Sequence, residues 1–256
     1  MFPSVSEVES YRRDGYLIRR ALFTADEIAR VATETQSLLE RKDLMARNNL
    51  RVRWTHHVDS TAPLFELFDP ITDIAPECGS IARHPKLGET LSHLLGGPVH
   101  LFKDKLIYKP AGAAGYPLHQ DFIAWPGFPE SFTTVVIAID GATELNGHIE
   151  VFPGAHAKGC LAERDGNFHM LEMNELPEGA RSPVCLDLAP GDVAIYGGFM
   201  PHRSAIHRST SQRRHLLLSY NLASEGGDQR SEHYHAFHHY LRSVYGSMGL
   251  GDLFFK

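Results

Sequence analysis

The sequence has little of several features that define large classes of proteins. Only three of its 256 residues are cysteines, too few and too dispersed for a disulfide framework or a cysteine-based zinc motif. No apolar run is long enough to span a membrane, and the first residues do not form the basic and apolar segment of a secretion signal. Acidic residues outnumber basic ones, 31 to 25, which argues against a surface for nucleic acid. We therefore expect a cytoplasmic protein without a nucleic-acid or membrane partner, and its oligomeric state is not predicted.

Apolar patterning divides the chain into a helical first part and a strand-rich second part. Thr24 and Glu27 have the spacing of a capping box, and a later helix ends at Gly96. From Val99 onward, short apolar runs alternate with glycine, proline and asparagine turns, which predicts an antiparallel barrel or jelly roll. The predicted strands are 99–109, 116–122, 132–139, 148–152, 192–197 and 214–222. The fold class is thus mainly β with flanking helices.

We expect one domain over residues 1–256. Residues 1–98 would form a helical N-terminal part and a lid, because 46–80 is polar, aromatic and proline-containing. Residues 99–224 would form the jelly-roll core, and 225–256 a C-terminal helix.

The pair His119 and Asp121 is the most informative motif. Side chains two residues apart on an extended strand point to the same side, so the pair places a nitrogen and an oxygen ligand on one wall. With one further histidine it would form the two-histidine, one-carboxylate face that binds Fe(II) and leaves coordination positions open. The chain has sixteen histidines, and similar spacings recur at His57 and Asp59 and at His148 and Glu150. The strand-rich context favours His119 and Asp121.

His202 is the predicted third ligand. A turn, an apolar strand and a second turn deliver it to the start of a strand; a histidine held by core hydrogen bonds is the alternative. Arg213 follows eleven residues later. An α-keto acid co-substrate chelating iron needs a fixed cation for its far carboxylate, and a planar guanidinium suits that role. The neighbouring Arg214 would point the other way.

With these residues the chain resembles the phytanoyl-CoA dioxygenase (PhyH) family of Fe(II)/2-oxoglutarate-dependent oxygenases, which share the double-stranded β-helix (jelly-roll, cupin-like) fold. The matching pieces follow the family order over most of the chain. They are Asp14-Gly15-Tyr16, Lys105 to Pro110, Leu118 to Asp121, Asn146-Gly147 through Pro153 to His156, Gly191-Asp192, and Pro201 to Ser204 with Arg213.

The resemblance implies three cofactors or co-substrates: Fe(II), 2-oxoglutarate and O2. The implied iron ligands are His119, Asp121 and His202. Arg213 would hold the 2-oxoglutarate C5 carboxylate, and further co-substrate contacts are implied at Ser204, Tyr116 and Lys105. Related halogenases lack the acidic ligand, so Asp121 favours hydroxylation, or another oxidation, of an unactivated C–H bond in a small-molecule metabolite or natural-product intermediate, with release of succinate and CO2.

Substrate contacts are predicted only in outline, at Trp125, Phe122 and Arg53. The substrate itself is not predicted. Two other functions stay open at this point. A cupin-like isomerase or hydrolase would use the same ligands without needing Arg213, and a non-catalytic small-molecule-binding protein would need neither.

Overall fold

Two antiparallel β-sheets form the centre of the protein, in a computed structural model that describes residues 2–121, 127–163, 165 and 168–256. The strands are β1 (Tyr16–Arg19), β2 (Val52–His56), β3 (Pro63–Phe68), β4 (Val99–Lys109), β5 (Tyr116–His119), β6 (Thr133–Ala138), β7 (Ile149–Val151), β8 (Val184–Leu186), β9 (Val193–Gly197), β10 (His202–Ser204) and β11 (Arg213–Leu222). The major sheet has the order β1-β9-β6-β11-β4-β3-β2, and the minor sheet β5-β10-β7-β8. The predicted mainly β class is confirmed.

In the described part of the chain, five α-helices flank the sheets. They are α1 (Val5–Asp14), α2 (Ala25–Leu38), α3 (Pro76–Ala82), α4 (Pro85–Leu95) and α5 (Arg230–Ser247). The predicted caps are present: Thr24 and Glu27 form a capping box, and Gly96 ends α4 with a left-handed φ of 82°. Among the described residues, no helix combines the length and apolar character that a membrane crossing requires.

The two faces of β4 and β11 have different roles. Leu106, Leu216 and Leu218 pack with the apolar faces of α2 and α4 in the largest core cluster. Because side chains alternate along a strand, the intervening residues, such as Arg213 and Leu217, face the other way and line a cavity. One pair of strands therefore supports both the core and the site.

Residues 46–80 differ from the predicted loop-rich lid. They contain β2, β3 and α3, and both strands extend the major sheet beside β4. Together with β1, the strands β2 and β3 belong to the major sheet, so this sheet includes residues from the part of the chain before residue 98. The pattern was missed because these strands carry polar side chains toward the cavity and apolar ones toward the core, without a clean polar face exposed to water. The short strand β8 was not predicted either, whereas β10 begins at His202, where the sequence predicts a strand start.

Candidate functional site

The structure brings His119, Asp121 and His202 together. His119 ends β5 and His202 begins β10, and these neighbouring strands pair the two histidines directly, with ring centroids 4.2 Å apart. One Asp121 carboxylate oxygen, Oδ1, lies 3.8 Å from His119 Nε2 and 3.9 Å from His202 Nε2. The alternation argument placed Asp121 on the same strand as His119. In the structure, Asp121 lies two residues beyond the end of β5. The three ligand atoms still meet at one point.

Hydrogen bonds behind the three residues fix their orientation. The His119 Nδ1–H donates to the Pro117 carbonyl at 2.8 Å, and the His202 Nδ1–H donates to the Met200 carbonyl at 2.9 Å. Each Nε2 therefore presents its lone pair toward Asp121. The Thr134 hydroxyl donates to Asp121 Oδ2 at 2.8 Å, which leaves Oδ1 facing the histidines. Such outer contacts orient ligands at metal sites.

The protonation states suit a cation. Burial, with the neighbouring His202, lowers the pKa of His119 to about 3. Burial by itself raises the pKa of the Asp121 carboxyl, but the nearby His202, Lys105 and His119 charges and the Thr134 hydrogen bond outweigh it, so the pKa is lowered. At neutral pH the site therefore offers a neutral imidazole and an ionised carboxylate, the forms that bind a divalent metal.

The other two pairs of a histidine and a carboxylate are less suited to binding a metal ion. The His57 ring accepts a hydrogen bond from the Asp59 amide, and the pair is not grouped with a third donor among the described residues. His148 and Glu150 do approach Cys185 closely. However, His148 contacts the partly exposed Asp187, and the Glu150 carboxylate forms an ion pair with Arg203.

A cavity of about 780 Å³ opens beside the three ligands, lined by both sheets and by α5. Arg213 lines it from the first position of β11, opposite Lys109 on β4. Arg213 donates one hydrogen bond, to the Gly147 carbonyl at 2.5 Å, while its buried Nε has no partner among the described residues. Neither ring nitrogen of the nearby buried His215 has one.

These unpartnered groups fit an anionic co-substrate. Lys109 Nζ lies 3.0 Å from the Ser204 hydroxyl oxygen, so Lys109 and Ser204 join Arg213 at one end of the cavity. Burial lowers the pKa of Lys109 to about 7, and that of Arg213 to about 10. Buried donors and charges without partners are costly, and a carboxylate would satisfy them. The distal carboxylate of 2-oxoglutarate has the required charge and geometry.

Lys109 was missed in the sequence, although it belongs to the segment that carries the resemblance. The strand register of Arg213 against Lys109 and the contact of Lys109 with Ser204 identify it as part of this end of the cavity. The feature of the sequence that could have identified Lys109 is the recurrence of lysine at even spacing along β4, which places these lysines on one face of the strand.

The remaining predicted residues divide into two groups. Lys105, Tyr116, Ser204 and Arg53 all line the cavity. Arg53 binds Glu66 at 2.7 Å and donates to the Tyr116 hydroxyl at 2.5 Å. Phe122 and Trp125 fall outside the described residues.

Comparison with known proteins decides the family. The family model for phytanoyl-CoA dioxygenase (PhyH) matches residues 11–215. The chain belongs to this family. A methylphosphonate hydroxylase from Gimesia maris is 29% identical over 233 residues, which cover 90% of this chain and 84% of that protein. A 2-aminoethylphosphonate dioxygenase from an uncultured bacterium is 30% identical over 148 residues, 53% of this chain and 51% of that protein.

The solved structures agree on the fold. EctD from S. alaskensis with 2-oxoglutarate and 5-hydroxyectoine has a TM-score of 0.72 at 22% identity, over 87% of this chain and 77% of that chain. The predicted jelly roll is confirmed. As a PhyH-family member, the protein is an Fe(II)- and 2-oxoglutarate-dependent dioxygenase acting on a small molecule with O2. The isomerase, hydrolase and binding-protein alternatives are not favoured.

Proposed function

We propose that His119, Asp121 and His202 hold the Fe(II) of this dioxygenase, and that Arg213, with Lys109 and Ser204, holds the C5 carboxylate of 2-oxoglutarate. The observation that carries this proposal is the pair of complementary ends in one cavity. Three ligand atoms converge at one end, and at the other lie buried basic groups that have no carboxylate partner among the described residues. A molecule with an α-keto acid at one end and a carboxylate at the other spans such a pair.

The protein's own contribution is orientation and exclusion of water. When bound, Fe(II) with 2-oxoglutarate supplies the activation of O2, coupled to release of succinate and CO2, that oxidises a substrate C–H bond. The Pro117 and Met200 carbonyls hold the two imidazoles, and Thr134 holds the carboxylate so that one oxygen faces the metal. Arg213 and Lys109 fix the far end of the co-substrate, which sets its approach to the metal.

The substrate is a free small molecule in this proposal. A cavity of about 780 Å³ has the size of sites that enclose a metabolite together with a co-substrate. Two relatives are named for small phosphonates, and the EctD structure contains 5-hydroxyectoine. We propose hydroxylation as the reaction, one oxygenase domain over residues 1–256, a cytoplasmic location, and no nucleic-acid or membrane partner.

The first test is anaerobic binding. Fe(II) with 2-oxoglutarate should produce a metal-to-ligand charge-transfer absorption in the wild-type protein, and His119→Ala and Asp121→Ala should remove it together with succinate formation. Replacing His57, the matched histidine of the competing motif, with alanine should leave the absorption intact. A band that survives His119→Ala and Asp121→Ala would contradict the ligand assignment.

The second test identifies a substrate. Consumption of 2-oxoglutarate would be measured in the presence of methylphosphonate, 2-aminoethylphosphonate, ectoine or L-proline. Each of these compounds appears in the name of a relative. A true substrate should accelerate succinate formation and gain one oxygen atom from ¹⁸O2. Oxidation without succinate formation would contradict the proposed reaction.

A further inference from the structure

Lys105 differs from the other basic residues on the substrate side of the cavity. It lies at the middle of β4, on the face that lines the cavity. No carboxylate of the described residues lies within ion-pair distance of its ammonium group. Burial and the neighbouring Lys103 and Arg53 lower its pKa, while Asp121 and Asp69 oppose that shift. The Lys105 side chain therefore lies between the metal ligands and the wall formed by β2 and β3, and the described residues offer it no ion pair.

The surrounding basic side chains are already neutralised. Each has a carboxylate at 2.5–2.7 Å: Arg51 with Asp73, Arg53 with Glu66, Lys103 with Asp69, and Arg203 with Glu150. Lys103 is the closest comparison, because it lies two residues before Lys105 on the same face of the same strand. Its ammonium group bonds to Asp69 and lies over the Phe237 ring.

Lys105 is also separated from the end of the cavity that the proposed function gives to the C5 carboxylate. In the pairing of β4 with β11, Lys109 lies opposite Arg213, whereas Lys105 lies opposite Leu217. Four residues along a strand correspond to about 13 Å between the two lysine backbones. The charges that act on Lys109 come from Arg213 and Glu66, whereas those that act on Lys105 come from Asp121, Lys103, Asp69 and Arg53, so the two ammonium groups have different neighbours.

The co-substrate and the metal would not supply a partner for Lys105. The dianionic co-substrate would place one carboxylate at Arg213 and the other at the metal, whose charge Asp121 also reduces. Lys105 would still lack an ion-pair partner, and its buried ammonium form is favourable only beside an anion. Accepting the proposed function, we infer that the substrate carries a small oxyanion group, either a carboxylate or a tetrahedral phosphorus or sulfur oxyanion, and that Lys105 binds it.

The rest of this region fits a compact molecule with an apolar body. Phe132 and Leu217 line the cavity from the sheet, and Leu241 and Val244 line it from α5. These side chains provide no charge and no hydrogen-bond donor. An oxyanion held at Lys105, close to Asp121, would therefore keep the C–H bonds of its short carbon chain near the metal ligands.

The test is calorimetric titration of the anaerobic Fe(II)–2-oxoglutarate protein with three probes. Methylphosphonate tests a tetrahedral oxyanion, acetate a planar one, and dimethyl sulfone a neutral molecule of similar size. The proteins are wild type, Lys105→Met, Lys105→Arg, and the exposed control Lys42→Met. Affinity for 2-oxoglutarate is measured separately for each, without a probe.

The wild type and Lys42→Met should bind at least one oxyanion and not the sulfone, and the preferred oxyanion identifies the geometry. Lys105→Met should weaken that binding by about tenfold to a hundredfold, the usual effect of losing a charged hydrogen bond, and Lys105→Arg should restore part of it. All four proteins should bind 2-oxoglutarate similarly.

Other outcomes overturn the inference. If Lys105→Met weakens 2-oxoglutarate binding instead, Lys105 belongs to the co-substrate. If no oxyanion binds, or the sulfone binds as well, the region does not select for charge. A wild-type protein that does not bind 2-oxoglutarate at all would contradict the proposed function itself, which separates that failure from the failure of the oxyanion subsite.

Discussion

Binding of 2-oxoglutarate should take up a proton on Lys109. This lysine lies opposite Arg213, and its ammonium group contacts the Ser204 hydroxyl and the Ala205 carbonyl. Burial, and secondarily the Arg213 charge, lowers its pKa to about 7. A carboxylate placed between Lys109 and Arg213 favours the protonated form of Lys109. The pKa of Lys109 is therefore higher in the complex than in the free protein.

The sign and size of the effect follow from this difference. At pH 8, a group with a pKa of about 7 is protonated in about one molecule in ten, so binding should take up about 0.9 proton. Well below pH 7 the lysine is already charged, and its contribution to affinity is at its maximum. Above pH 7 affinity should fall, by up to about tenfold per pH unit, until the pH reaches the pKa of the complex. Lys109→Met should abolish this dependence and cost about 1.5–3 kcal/mol of binding free energy at pH 6.5.

Anaerobic calorimetry in two buffers of different ionisation enthalpy measures the proton uptake directly. Metal-loaded wild type should take up close to one proton per 2-oxoglutarate at pH 8, Lys109→Met close to none, and the exposed control Lys42→Met should resemble wild type. The reasoning is refuted if wild-type binding takes up no proton at pH 8, or if Lys109→Met keeps the same pH dependence.

Three other predictions concern the metal end, the guanidinium and the turn beside it. Thr134→Val removes the hydrogen bond that orients Asp121 and should weaken Fe(II) affinity by about tenfold to a hundredfold in a metal-competition titration, with Thr134→Ser restoring most of it. Arg213→Met should weaken 2-oxoglutarate binding by more than Lys109→Met does, without loss of Fe(II) affinity; equal loss of both would point to misfolding. Gly147→Ala should lower the free energy of unfolding by about 1–2 kcal/mol in urea, because Gly147 has a positive φ and a Cβ there would lie 2.4 Å from the Ala205 carbonyl oxygen. An unchanged urea midpoint would contradict that account.

The metal end of the site was predictable because its signal is chemical. The residue types of His119, Asp121 and His202 restrict the chemistry strongly, and the strand-rich context selected them among sixteen histidines. The prediction did not depend on every structural premise. Asp121 lies beyond β5, yet the donor set assembles because β10 pairs His202 with His119.

The parts that were missed depend on register between distant segments. Lys109 acquires its role from Arg213, more than one hundred residues later, and a single sequence carries no mark of that pairing. The strands β2 and β3 were taken for a lid because their polar side chains face the cavity. Arg53 and Glu66 pair across these two strands, so residues that suggest a solvated loop instead form part of the wall.

The lysines of β4 show how one strand would separate the co-substrate from the oxyanion that we infer for the substrate. Alternation places Lys103, Lys105 and Lys109 on the same face, and the pairing partners then distinguish them. Asp69 neutralises Lys103, and Lys109 shares the co-substrate end with Arg213. Lys105 lies near the metal ligands and has no ion pair among the described residues. Because the spacing along a strand is fixed, a shift of one anion into the other's position would leave a buried basic group without a partner. The backbone that builds the core would therefore also keep the two ligands apart.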